Sequence, residues 1–242
     1  APVTSNWASV AIAGPGARDV LAALKPDFDV SGGAFPHMSY REGTAHGMPV
    51  RVSRVSFTGE LQYEINVPAG QGAALLNRLI EIAEPIGGCL VGLEAWLRLR
   101  LEKGYLHVGA DTNGRTTPLD LGMGGVIDRK PGDFIGRRSL SLAYAVSAGR
   151  EELVGLKAVS GGMRVGGRIL ADGATQPPCQ TEGYVTSACW SPSLGCDVAL
   201  ALIENGSKRL GQTVRIYDAG RIIEAEICRP GLYDPDNERL MA

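Results

Sequence analysis

A long apolar run is missing from this chain of 242 residues. The longest, Val198 to Ile203, falls far short of the roughly 20 residues that a membrane helix needs. A charge excess is missing too: Lys plus Arg 24 against Asp plus Glu 26 leaves a formal charge of -2. No basic field is available for a phosphate backbone or an anionic membrane surface, so neither nucleic acid nor a membrane is an expected partner. Histidine is scarce (His37, His46, His107), and the five cysteines (89, 179, 189, 196, 228) are odd in number with no CxxC spacing. This argues against a metal site and against a disulfide framework, and it predicts reduced, mostly buried thiols in a soluble cytoplasmic protein. No GxSxG nucleophile elbow, HExxH pair or Walker loop occurs, so the common hydrolase and P-loop chemistries drop out. Gly14-Pro15-Gly16 would need a third glycine at 19 to make a dinucleotide fingerprint, and Asp19 stands there. The chain opens Ala-Pro-Val, with no Met and no charged-then-apolar leader, and reads as a processed chain or a fragment.

What is present is an ordinary globular composition, 44% hydrophobic and 21% charged, with one excess: 33 glycines, about 14% against an average near 7%, which implies many turns. Ala8 to Ala13 reads as a strand, and after the Gly-Pro-Gly break Ala17 to Leu24 places Val20, Leu21 and Leu24 on one helical face. Met48 to Phe57 and Leu61 to Val67 alternate around Thr58-Gly59-Glu60, which predicts a hairpin with a tight glycine-containing connection. Helices are expected over Gln71 to Ile80 and from about Leu93 to Lys103. Beyond residue 150 the texture changes to short β-rich pieces: 153–159, 168–170, 183–187, 198–203, 213–217 and 222–228. Turn residues separate them at about ten-residue spacing, the pattern of a small barrel or sandwich. The fold class is therefore α+β, an antiparallel sheet with helices followed by a small C-terminal β-barrel. Two domains are expected, 1–146 and 147–242, divided near the small and polar stretch Ala145 to Arg150.

The carboxylates are the chemical clue. In Phe57-Thr58-Gly59-Glu60-Leu61-Gln62-Tyr63-Glu64, strand alternation puts residues 60, 62 and 64 on one face and Leu61, Tyr63 and Ile65 on the other. Two acids and an amide beside Phe57 could grip a flat heterocycle, a carboxylate accepting paired N–H bonds while a ring stacks on the aromatic. A solvated strand face accounts for the same spacing, and the residues alone leave both readings open.

Three segments in order, RVSRVSFTGELQYEINV (51–67), GLEAWLRLRLEKG (92–104) and GADTNGRTTPLDLG (109–122), resemble the folate-binding aminomethyltransferase superfamily. The barrel half agrees: GYVTS (183–187) with SPSLG (191–195) and Gly211 resembles the signature of that family's C-terminal barrel. The resemblance covers nearly the whole chain. It implies a ferredoxin-like folate-binding fold, here N-terminally incomplete, with tetrahydrofolate as the cofactor. It implies Glu64 as the carboxylate on the pterin, Phe57 as the stacking aromatic, and Glu60 as a second acid of the same motif, which could instead satisfy backbone donors of the turn. An aromatic near the family's C-terminus points to Tyr233. Where the glycine-cleavage members carry an Arg that contacts the folate, this chain has Trp96; Arg100, one turn later, is kept.

Trp96 favours the sarcosine- and dimethylglycine-oxidising branch, and the ending RPGLYDP (229–235) with Arg239 resembles the tail of the sarcosine oxidase alpha subunit. The K-G-C-Y-x-G-Q-E stretch of the iron-sulfur-linked folate proteins is replaced by Lys130 to Arg137. The family's catalytic Asp belongs upstream of the first residue, so no catalytic residue is assigned, and the isolated chain is expected to be inactive. What the resemblance implies is the folate-binding portion of an enzyme that oxidises an N-methyl amine and captures the one-carbon unit as 5,10-methylenetetrahydrofolate. The partners would be reduced folate, the rest of a parent polypeptide and flavin-bearing subunits, with flavin and NAD bound only in the parent. Two other readings stand beside it: a glycine-cleavage-type aminomethyltransferase acting on a lipoyl carrier, and a non-catalytic interaction domain that has lost folate.

Overall fold

Gly14 to Gly16 end the first strand and open the first helix, and the same punctuation by turn residues continues along the chain. The elements in order are β1 (Trp7–Ala13), α1 (Ala17–Ala23), β2 (Ser39–Ala45), β3 (Met48–Arg54), β4 (Gln62–Pro68), α2 (Gly72–Ala83), α3 (Leu93–Glu102), α4 (Gly124–Asp128), β5 (Glu151–Ser160), β6 (Arg168–Leu170), β7 (Thr181–Ser191), β8 (Cys196–Glu204), β9 (Thr213–Asp218), β10 (Arg221–Cys228) and α5 (Glu238–Met241). The computed structural model describes residues 1–174 and 178–242. They form two compact units, Ala1–Arg100 with Asp234–Ala242, and Leu101–Tyr233.

The first unit is built on a four-stranded antiparallel sheet in the order β1-β4-β3-β2. Register sets its two faces: Val10, Ile65 and Val52 lie in one row, and Ile12 pairs with Tyr63. Val20 and Leu21 of α1, with Leu24, and Leu75 and Leu79 of α2 join the buried cluster that contains Val52, Tyr63 and Ile65. Each fully buried Leu, Ile or Val contributes about 1.5–3 kcal/mol relative to exposure, so this packing, more than helix propensity, holds the seven-residue α1 in place.

The second unit closes six antiparallel strands into a barrel, β10-β5-β8-β7-β6-β9. Val154, Leu156, Ala199, Ala201 and Ile203 point into one core, while Leu153, Val198, Leu200 and Leu202 alternate into a second cluster with Leu101. Burial on both faces explains why 198–203 reads as an unbroken apolar run. Two motif glycines are required by geometry. Gly183, at φ +154°, brings its Cα so near β8 that a Cβ would lie 2.1 Å from the Leu202 oxygen, and a Cβ on Gly104, at φ +74°, would lie 2.1 Å from the Gly231 nitrogen.

The α+β class with a terminal barrel is observed. Three details differ from expectation. The β3–β4 connection spans residues 55–61, so it is not tight. β2 has no sequence signature because its alternating positions carry Tyr40, Glu42 and Thr44 against Arg41 and Gly43. The cysteines are less buried than expected: Cys89 is exposed and the other four are half-buried, Cys189, Cys196 and Cys228 lying at or near strand ends. No helix of the described residues is long and apolar enough to cross a membrane.

Candidate functional site

The sheet face opposite the helices of the first unit carries the predicted carboxylate. Glu64 sits on β4 directly between Ala11 of β1 and Ser53 of β3, so its half-exposed carboxylate stands on a floor of two small side chains. One step along, Asn66 lies between Ser9 and Arg51. Arg51 pairs with Glu42 at 2.5 Å and lies 5.3 Å from the Trp7 ring centroid. Ala11, Ser53 and Arg51 went unrecognised in the sequence; the alternation of small residues Ser9, Ala11 and Ala13 along β1 was the available signal.

Glu60 does not share the Glu64 face as expected, whereas Gln62 does. β4 begins at Gln62, so Glu60 lies in the preceding turn, where strand alternation does not apply. There its carboxylate meets Arg239 at 3.4 Å. Gln62 is on the Glu64 side of the strand but fully covered, 1% exposed. Its Oε1 accepts the Phe57 backbone N–H at 3.3 Å and the Thr58 hydroxyl at 3.1 Å, which ties the turn to the strand. Its Nε2 is buried without a hydrogen-bond partner among the described residues.

Phe57 and Trp96 are brought together, ring centroids 4.1 Å apart and planes tilted by 33°. Trp96 thus forms a tilted two-ring contact with the aromatic of the turn, a geometry that adds about 0.5–1.5 kcal/mol beyond area burial. Arg100, one helical turn beyond Trp96 on α3, is buried. Tyr233 belongs to the second unit, where its backbone N–H donates to the Glu102 carbonyl at 3.1 Å.

In the second unit, buried acids of the 102–120 segment are bound by signature hydroxyls of β7 and by Arg150. Asp111, wholly buried, accepts the Thr186 and Ser187 hydroxyls at 2.6 Å each and the His107 N–H at 2.8 Å. Glu102 accepts the Ser191 hydroxyl. Asp120 takes a two-pronged grip from Arg150, both contacts 2.6 Å. Burial by itself would raise the Asp120 carboxyl, but the Arg150 guanidinium and the Thr117 N–H and hydroxyl outweigh it and hold the group below the usual carboxylate range. Among the described residues no group of three or more His, Cys, Asp or Glu could hold a metal ion.

Residues 1–131 match the GCVT N-terminal domain, and residues 152–234 match the glycine cleavage T-protein C-terminal barrel domain. The chain belongs to the glycine cleavage T-protein family. Among T-protein relatives, the sarcosine oxidase subunit alpha of Rhizobium meliloti is 38% identical over 99% of this chain, and that of Corynebacterium sp. strain P-1 is 38% identical over 98%. The chain spans 25% of the length of each. An aminomethyltransferase of Mycobacterium avium is 34% identical over 93% of this chain and 59% of its own length. The T-protein fold is matched by the crystal structure of the glycine cleavage system aminomethyltransferase T from Bartonella henselae, with a TM-score of 0.78, 25% identity, and coverage of 95% of this chain and 60% of that one.

Proposed function

We propose that the chain is the reduced-folate-binding portion of an enzyme that oxidises an N-methyl amine, of the sarcosine oxidase alpha kind. The observation that carries this reading is the half-exposed Glu64 carboxylate on β4. The half-exposed Glu64 carboxylate stands over Ala11 and Ser53, and on the same strand face the buried Gln62 side chain anchors the turn that bears Phe57. A carboxylate so placed suits the paired N–H groups on the edge of an aminopyrimidinone. The small flanking side chains leave room for a flat ring over the sheet, and the Phe57–Trp96 pair supplies an aromatic edge. An accepting carboxylate with this aromatic pair fits a pterin.

When bound, tetrahydrofolate supplies N5 and N10 as acceptors for the one-carbon unit, with 5,10-methylenetetrahydrofolate as the product. The residues of this chain bind and orient it. Glu64 fixes the pterin edge, Gln62 holds the turn that bears Phe57, and the ring stack restricts tilt. Positioning of this kind acts through effective molarity, by keeping acceptor and one-carbon donor adjacent. The 38% identity to two sarcosine oxidase alpha subunits, and Trp96 in place of an arginine, support an N-methyl amine as the carbon source and flavin-bearing segments or subunits as partners. A glycine-cleavage-type activity on a lipoyl carrier is the second reading, favoured by the match to a solved aminomethyltransferase.

Calorimetric titration with 5-formyltetrahydrofolate tests the folate reading. Glu64→Gln should weaken binding by about 1.5–3 kcal/mol, the worth of a hydrogen bond to a charged group. Equal affinity of the two proteins would end the assignment of Glu64.

A further inference from the structure

The last nine residues belong to the first unit, and two arginines that have no side-chain carboxylate partner among the described residues hold them there. Arg54, 3% exposed, donates from one nitrogen to the Phe35 carbonyl at 2.7 Å and from another to the Ala242 and Met241 oxygens at 2.8 and 3.2 Å. Arg18 donates to the Val30 carbonyl and, through its other terminal nitrogen, to the same Ala242 oxygen, both at 2.7 Å. Among the described residues neither guanidinium makes a salt bridge to a side-chain carboxylate. Burial, reinforced by the neighbouring Arg18 charge, pushes the Arg54 guanidinium down. A buried cation of this kind needs acceptors, and the oxygens that close α5 provide them. The Tyr63 hydroxyl, buried and without a partner among the described residues, completes the lining near both arginines. Leu240 is buried at the same end of the tail, and on the tail's outer side Arg239 reaches Glu60 at 3.4 Å.

We propose that Arg18 and Arg54 fasten the tail Asp234–Ala242 as a strap whose task is to set Arg239 against Glu60 and so hold, from outside, the turn that carries Phe57. Gln62 holds that turn from beneath through the Phe57 N–H and the Thr58 hydroxyl. Arg18, Arg54 and Arg239 are thus positioning residues for the ligand face. The proposal rests on the folate reading for its functional consequence and on tail geometry alone for the fastening.

Two measurements on the whole chain separate these parts: hydrogen exchange of the tail amides, and titration with 5-formyltetrahydrofolate. Arg18→Gln is preferred to a change at buried Arg54, which risks unfolding. It should speed tail exchange on the order of tenfold and weaken binding about three- to tenfold. Arg239→Gln should weaken binding to a similar degree with tail exchange unchanged, and Glu64→Gln should reduce binding with the tail equally protected. Unchanged tail exchange in Arg18→Gln would overturn the fastening. A loosened tail with full affinity, or full affinity in Arg239→Gln, would overturn the positioning role. If the unaltered chain bound no folate while Arg18→Gln still released the tail, the folate reading would fall and the fastening would stand.

Discussion

Replacing Asp111 with Asn should unlatch the segment around residues 107–111 from the barrel, at a cost of which a lower bound can be worked from three of its bonds. One carboxylate oxygen accepts both the Thr186 and Ser187 hydroxyls, and the other accepts the His107 N–H. Asparagine keeps one oxygen and turns an NH2 toward the remaining donor or donors. If the oxygen stays with the hydroxyls, the His107 N–H faces another donor in a site with no solvent exposure. Losing one hydrogen bond to a charged group costs about 1.5–3 kcal/mol, and an unmatched buried donor adds to it, so about 2–4 kcal/mol is expected. Asp111→Ala should cost less than three full bonds, because the Thr186 hydroxyl can turn to the Leu200 carbonyl, already 3.1 Å away. In urea, with a slope of about 3 kcal/mol/M, the Asn variant should lower the unfolding midpoint by about 0.7–1.3 M. Ser187→Ala combined with Asp111→Asn should be less damaging than the sum of the two singly, with a coupling of about 1–2 kcal/mol. A midpoint within about 0.2 M of the original, or strict additivity, would refute the latch.

Gln62→Leu removes the acceptor that ties Phe57 and Thr58 to the strand, and it should weaken 5-formyltetrahydrofolate binding about tenfold in calorimetry for a stability cost near 1–2 kcal/mol. Arg150→Met leaves the Asp120 carboxylate buried without its cation and should cost about 3–5 kcal/mol in a denaturant melt, part of which Asp120→Asn in the same chain should restore. The Asp120 carboxyl is held below its ordinary value in the folded state, so its contribution is present above the unfolded value of 3.8 and is lost as pH falls through the lower folded one. His37 is pushed below 6.5, by burial first and by the charge of Arg54 second. The unfolded chain therefore takes up that proton first, and stability should fall as pH drops below 6.5; in His37→Gln a melting series across pH 7 to 5 should lose this part of the decline. Gly104→Ala places a Cβ against the backbone of Pro230 and Gly231 in a left-handed conformation and should cost at least about 1–3 kcal/mol by thermal melting.

The barrel was the most legible part of the sequence because each strand is a short β-branched run closed by Gly, Asn or Asp, and closure requires only that six such runs recur. α1, α2 and α3 were legible through apolar residues at helical spacing. β2 was not, since an edge strand bearing Arg41, Glu42 and Gly43 has no period-two apolar signal. For the candidate site, Phe57, Glu64 and Trp96 were singled out through the resemblance, but the extrapolation of strand alternation back to Glu60 failed. Alternation holds only while the chain is paired, and β4 starts at Gln62. Nor could spacing disclose Ala11 and Ser53, whose relevance comes from register across three strands, or the approach of Arg239 to Glu60, 179 positions apart. Interactions that depend on pairing partners far along the chain leave no local trace.

The return of residues 234–242 to the first unit also constrains the order in which the molecule can be made. A ribosome adding about 5–20 residues per second needs on the order of 10 s to pass from residue 100 to residue 234. Throughout that interval the nascent sheet has neither the acceptors that Arg54 and Arg18 take from Met241 and Ala242 nor the cover of Leu240. The barrel strands, all between residues 151 and 228, are made before those residues. Synthesis thus makes every residue of the second unit before it makes the nine that complete the first.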